Sequence, residues 1–77
     1  MDYSLIIGNH HSSTRYVNGL KTWKQVTDFL KNNLEQWTIS VEIFKYSSDN
    51  KILGQKYVTM GNLIEVAMSE TDKVLKQ

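Results

Sequence analysis

The residues with the strongest chemical character stand together near the N-terminus: His10, His11, Ser12, Ser13 and Arg15. Imidazoles can ligate a borderline metal, and hydroxyls beside a guanidinium can hold a phosphate. Adjacent residues of an extended chain point to opposite sides, however, so the two rings do not converge on one ion. The chain has no further histidine and no cysteine, and no acid stands close in sequence to complete a ligand set. The expectation is a solvated loop, with no metal and no cofactor.

Acid–base chemistry needs two carboxyls that converge, or one beside an imidazole. Here Asp2, Asp28, Glu35, Glu42, Asp49 and Glu65 are scattered, and only Glu70 and Asp72 stand close together, on an expected exposed turn. Glycine-rich phosphate loops, zinc-protease helices and nucleophile elbows are absent. The absence of cysteine removes disulfides, thiolate nucleophiles and cysteine-based metal clusters. The sequence therefore predicts a protein that is not an enzyme.

Composition sets the frame for what remains. The chain has 77 residues, 40% of them hydrophobic, and a formal charge of +1. That is a single globular domain over residues 1–77, without a strong field toward nucleic acid or anionic lipid. Apolar burial at ~25 cal/mol/Å² little more than offsets an ordering cost of ~1.5 kcal/mol per residue, so a dimer or a partner is expected to contribute stability. No purely apolar run is long enough to span a membrane, the longest being of the length of Leu5-Ile6-Ile7. Asp2 follows Met1 with no basic region, unlike a secretory signal, so the expected location is cytoplasmic. Eight lysines against one arginine, with six asparagines and six isoleucines, reflect AT-rich codons. This usage suggests a low-GC bacterium or its phage, while the start at Met1 and the lack of linker composition lead to the expectation of a complete small gene product.

The elements that position these residues follow from periodicity. Tyr3 to Ile7 alternates as a strand, with Tyr3, Leu5 and Ile7 on one face and Ser4 and Ile6 on the other. Arg15-Tyr16-Val17 reads as a short strand returning to it, ended by Asn18-Gly19. Thr22 and Gln25 form a capping box, and Trp23, Val26, Phe29, Leu30 and Leu34 then step by three and four as one helical stripe. Asp28 and Lys31 are close enough on that helix to interact.

From Trp37 the period changes to two. Trp37, Ile39, Val41 and Ile43 are expected to face the core, with Thr38, Ser40, Glu42, Phe44 and Tyr46 opposite. Ser47 to Asn50 is a turn, and Ile52 to Met60 returns as the second strand of a hairpin. Pairing Tyr46 with Lys51 puts Phe44 opposite Leu53, Ser40 opposite Tyr57, and Gly54 opposite Ile43 at a bulge or under a bulky neighbour. In the last segment, Asn62 caps a helix with Ile64, Ala67, Met68, Thr71 and Leu75 as its stripe. Lys73 and Lys76 suit its C-terminus. The alternative is a Gly61-Asn62 turn into a further strand. The predicted fold is α+β, a small two-layer sandwich in the order β-(β)-α-β-β-α, with both helices on one face of an antiparallel sheet.

One sheet face is then left uncovered, carrying Phe44, Tyr46, Leu53 and Tyr57 among polar neighbours. An aromatic centre in a polar surround is the anatomy of a protein interface. The expectation is a non-enzymatic protein–protein interaction module with these four residues as its partner-binding site. A phage or mobile-element accessory protein that inhibits a host factor, such as a defence nuclease, would have this character. The runner-up is a weak single-stranded nucleic-acid binder, using those aromatics with Arg15, Lys21, Lys24 and Lys31. A regulatory homodimer comes third.

Overall fold

The two alternating runs become the central strands of one antiparallel sheet in the computed structural model, which describes residues 2–10 and 14–75. The elements are β1 (Asp2–Asn9), β2 (Arg15–Leu20), α1 (Trp23–Asn32), β3 (Thr38–Tyr46), β4 (Ile52–Thr59), α2 (Leu63–Ala67) and a 3-10 turn, Asp72–Val74. The strands lie in the order β2-β1-β3-β4. This is the predicted α+β order, second strand included. A ββα unit is used twice, so β1 and β3 meet at the middle with Leu5 paired to Ile43. No sequence repeat accompanies this duplication.

Tyr3, Leu5, Ile7, Val41, Ile43 and Val58 supply the sheet side of the core. Trp23, Val26 and Leu30 from α1, with Val66 and Ala67 from α2, close over them. Both helices therefore cover the same face. At the start of α1 the Gln25 N–H donates to Thr22 Oγ1 at 3.1 Å, as a capping box requires. The return bond differs: Gln25 Oε1 accepts from the Lys21 N–H at 2.6 Å instead of from Thr22. Asp28 pairs with Lys24, one turn back, at 2.8 Å.

Three expectations are corrected. The first concerns Trp37 and Ile39, which are 45% and 40% exposed, while Thr38 is buried. Gly8 pairs with Ser40 but Asn9 pairs with Thr38, so Ile39 is an extra residue that reverses the inside–outside phase. Gly8 lies close under this bulge, where an added Cβ would come within 2.6 Å of Ser40 Oγ.

The second correction is the β3–β4 register, which is displaced by two residues from the expected one. Phe44 faces Gln55, Glu42 faces Tyr57, Ser40 faces Thr59, and Gly54 faces Lys45. A two-residue shift preserves the face, so Tyr57 stays on the face of Phe44 and moves from opposite Ser40 to opposite Glu42. The extra residue here is Leu53, between Ile52 (paired with Tyr46) and Gly54.

The third is the C-terminal helix. It ends at Ala67 rather than running to Leu75, and its buried residues are Val66 and Ala67, while Ile64 and Met68 are exposed. Asn62 stands at its N-cap position, but its side chain makes no capping bond: its Oδ1 accepts instead from the Thr59 N–H at 2.9 Å. Beyond the helix the chain is fastened back over the core. Trp23 Nε1 donates to the Ser69 carbonyl at 2.9 Å, and Asp72 receives both Tyr3 and Lys45. Leu75 covers Gly54, so the bulge and the bulky neighbour occur at that position together.

Candidate functional site

None of the described helices or loops forms a layer over the second face of the sheet. Alternation along β1 and β3 turns Ser4, Ile6, Glu42, Phe44 and Tyr46 away from the helices, and pairing fixes what stands beside them. One row across the sheet reads Tyr16, Ile6, Glu42, Tyr57, because Ile6 pairs with both Tyr16 and Glu42, and Glu42 pairs with Tyr57. At ~4.8 Å between strands the row is about 14 Å wide. Ser4, Phe44 and Gln55 form the next row, then Asp2, Tyr46 and Ile52.

Tyr16 and Tyr57 end the first row and are 67% and 60% exposed. Phe44 and Tyr46, two residues apart on β3, stack at 6.2 Å between ring centroids with 29° between planes. Ile52, 50% exposed, extends the apolar surface beside Tyr46. Of the four predicted site residues, Phe44, Tyr46 and Tyr57 are thus brought together. Leu53 is half-buried at the bulge and has no partner on β3. Tyr16, Ile6 and Ile52 belong to the face as well and were not among the predicted site residues. Tyr16 could have been placed by pairing Arg15-Tyr16-Val17 with the first strand at the parity that sets Val17 beside Leu5.

The charges divide sharply between the two layers. Arg15, Lys45 and Lys56 are the basic residues of the described strands, and each has its cross-strand partner on the helix-covered side, at Ile7, Tyr3 and Ile43. Arg15 stacks on the Phe29 ring at 5.5 Å, and Lys45 meets Asp72 at 2.6 Å. Lys24 and Lys31 stand exposed on α1. Among the described residues, the charged side chains of the open face are carboxylates. Asp2 is paired at its margin with Lys21 at 3.2 Å. Glu42, in the middle, has a single weak contact, the Gln55 amide at 3.5 Å.

A groove of about 310 Å³, open to solvent, adjoins this face and is lined by Asp2, Ser4, Asn18, Gly19, Tyr46 and Asn50. It is large enough for one inserted side chain, not an enclosed chamber for a small molecule. Among the described residues, no three His, Asp or Glu side chains cluster as a metal site would. His10 is exposed, and His11, Ser12 and Ser13 lie outside the described residues. No helix is long and apolar enough to cross a membrane. Comparison with protein-family models, with curated proteins and with solved structures returns no match.

Proposed function

We propose that the open sheet face binds a protein partner, one that presents an arginine or lysine to Glu42 between Tyr57 and Phe44. The observation that carries this reading is the carboxylate of Glu42 at the centre of an aromatic surface, where none of the described residues sets a cation against it. A guanidinium satisfies both components at once: it pairs with a carboxylate through two parallel N–H donors and stacks on aromatic rings. Tyrosine, phenylalanine and isoleucine around it supply the desolvated centre that dominates interface energetics.

Single-stranded nucleic acid is the weaker reading. Base stacking on a sheet works when cations follow the phosphates past the aromatic platform. In this chain Lys24, Lys31, Lys45 and Arg15 belong to the opposite layer, and the platform itself is acidic. No catalytic role is proposed.

The test is a titration of the labelled protein, followed by amide NMR, with three probes: a hexapeptide holding Arg among apolar residues, its Arg→Gln analogue, and oligo-dT. The reading predicts shifts at Glu42, Phe44 and Tyr57 with the Arg peptide alone, weakened at least tenfold in Glu42→Gln. Oligo-dT shifting the same amides, with affinity falling steeply in salt, would show the nucleic-acid reading to be the right one.

A further inference from the structure

The margin of the groove beside the open face holds the dipeptide Asn18-Gly19. We propose that Asn18 is a site of spontaneous, backbone-assisted deamidation, which replaces its neutral side-chain amide with a carboxylate. The inference does not depend on what the open face binds.

Of the six asparagines in the chain, Asn18 alone precedes a glycine; His10, Asn33, Leu34, Lys51 and Leu63 follow the others. The attacking group in this reaction is the backbone nitrogen of the following residue. A side chain on that residue obstructs the approach of its nitrogen to the amide carbon. Glycine has no Cβ and leaves the approach open.

The fold leaves the same pair accessible. Asn18 and Gly19 are both exposed, on a strand at the edge of the sheet. Tyr3 pairs with Leu20 and Leu5 with Val17, so Asn18 and Gly19 together stand against Ser4. That is a bulge, where the ladder is interrupted and the strand bends. Gly19 takes φ +84°, and apart from its chain neighbours no described atom lies within 4 Å of where its Cβ would stand. Other asparagine side chains are held: Asn62 Oδ1 accepts from the Thr59 N–H at 2.9 Å, and Asn32 Nδ2 donates to the Asp28 carbonyl at 2.8 Å. Among the described residues, none holds the Asn18 amide in this way.

The chemistry balances with water alone. Gly19 N gives up its proton to base and bonds to Asn18 Cγ. The bond from Cγ to the side-chain nitrogen breaks, and ammonia leaves with a proton from solvent. The cyclic imide that results then adds water. Opening at Cγ restores the backbone and leaves aspartate; opening at the backbone carbonyl carbon leaves isoaspartate, with the main chain running through Cγ. Either product exchanges a neutral amide for a carboxylate, which takes the formal charge of the chain from +1 to zero. In the groove the new carboxylate joins that of Asp2, which Lys21 pairs at 3.2 Å.

Trypsin isolates the site, because cleavage after Arg15 and Lys21 releases residues 16–21 with Asn18 as the one asparagine. The folded chain, held for weeks at neutral pH and body temperature, should accumulate a species that elutes earlier from a cation exchanger. Its 16–21 peptide should have the mass of the acid in place of the amide and separate into a pair of isomers. Amide loss there should run about tenfold or more ahead of every other asparagine peptide. It should also rise with pH, since the attacking nitrogen must lose its proton. Asn18→Gln should remove the acidic species. The same chain unfolded in urea is the reference, where the pair reacts without the fold. A 16–21 peptide that stays intact in the folded chain after the unfolded chain has reacted overturns the proposal. So does an acidic species that maps to Asn50 or Asn62, or one that persists in Asn18→Gln.

Discussion

Leu75 rests on Gly54: a Cβ added to that glycine would lie 3.2 Å from the Leu75 Cβ and 3.5 Å from its carbonyl carbon. Neither atom is the free end of a flexible side chain, so the C-terminal segment can approach β4 this closely only over a glycine. Gly54→Ala should force the segment to give by a few tenths of an ångström. We expect a loss of ~1–3 kcal/mol in denaturant unfolding, as for other overpacked sites. Faster amide exchange confined to residues near Leu75 would locate the effect.

Asp72 fastens the same segment electrostatically. The Lys45 ammonium at 2.6 Å, then the Tyr3 hydroxyl at 2.7 Å, hold its carboxyl below the usual carboxylate range. A carboxyl depressed in the fold adds stability that is complete above the unfolded value of ~3.9 and is lost as pH falls through the lower folded value. Asp72→Asn should cost about 1.5–3 kcal/mol at neutral pH, the range for a hydrogen bond to a charged group. Its melting temperature should also fall less than that of the unmodified chain on acidification below pH ~4.

Tyr3 carries the alkaline counterpart. Burial first, then its hydrogen bond to Asp72 and the charge of that carboxylate, push its hydroxyl up to about 12. The sign is opposite to that of the acid: the contribution is intact below the unfolded value of ~10 and lost as pH rises through the folded one. Ultraviolet difference absorbance should show one tyrosine ionising near pH 12, a phase missing in Tyr3→Phe.

The core prediction depends on burial alone. Leu30 is 4% exposed and Val41 is fully buried between sheet and helices. Leu30→Ala should cost ~2–4 kcal/mol and Val41→Ala somewhat less, through lost burial and the cavity left behind. In a chain this small that is most of the total stability. Unchanged melting in both variants would refute the packing described above.

Legibility in the sequence followed the range of the interactions. The α1 stripe, the turn at Ser47 to Asn50 and the alternation of β3 from Val41 onward are local patterns, and the structure keeps them. The bulge at Ile39 was not legible, and the one beside Gly54 was legible only through its glycine and not in its register, because each depends on what the neighbouring strand offers: Gly8 in one case, and Lys45 and Tyr46 in the other. Val66 and Ala67 won burial over Ile64 and Met68 because the segment after them is tied to Trp23, Tyr3 and Lys45, contacts remote in sequence. Tyr57 was assigned its face despite a wrong register, since an error of two residues leaves parity unchanged. Tyr16 lies on the same face without a local sequence signal that puts it there, because its strand is short and its pairing is set by Leu5 and Ile6.

The central claim is that the uncovered face binds and does not hold the fold together. Its most direct test is the effect of Tyr57→Ala, Tyr16→Ala and Phe44→Ala on melting and on affinity for the arginine-bearing hexapeptide, with Lys24→Ala on the helix layer as the control. Tyr57 and Tyr16 are more than half exposed, so their loss removes little burial from the free chain. The account predicts melting within about 3 °C of the unmodified protein for both tyrosine variants. It also predicts at least tenfold weaker binding for Tyr57→Ala and Phe44→Ala, about 1.4 kcal/mol or more each, with Lys24→Ala unchanged. Binding that survives both aromatic truncations but is lost in Lys24→Ala would contradict it and place the interface on the helices.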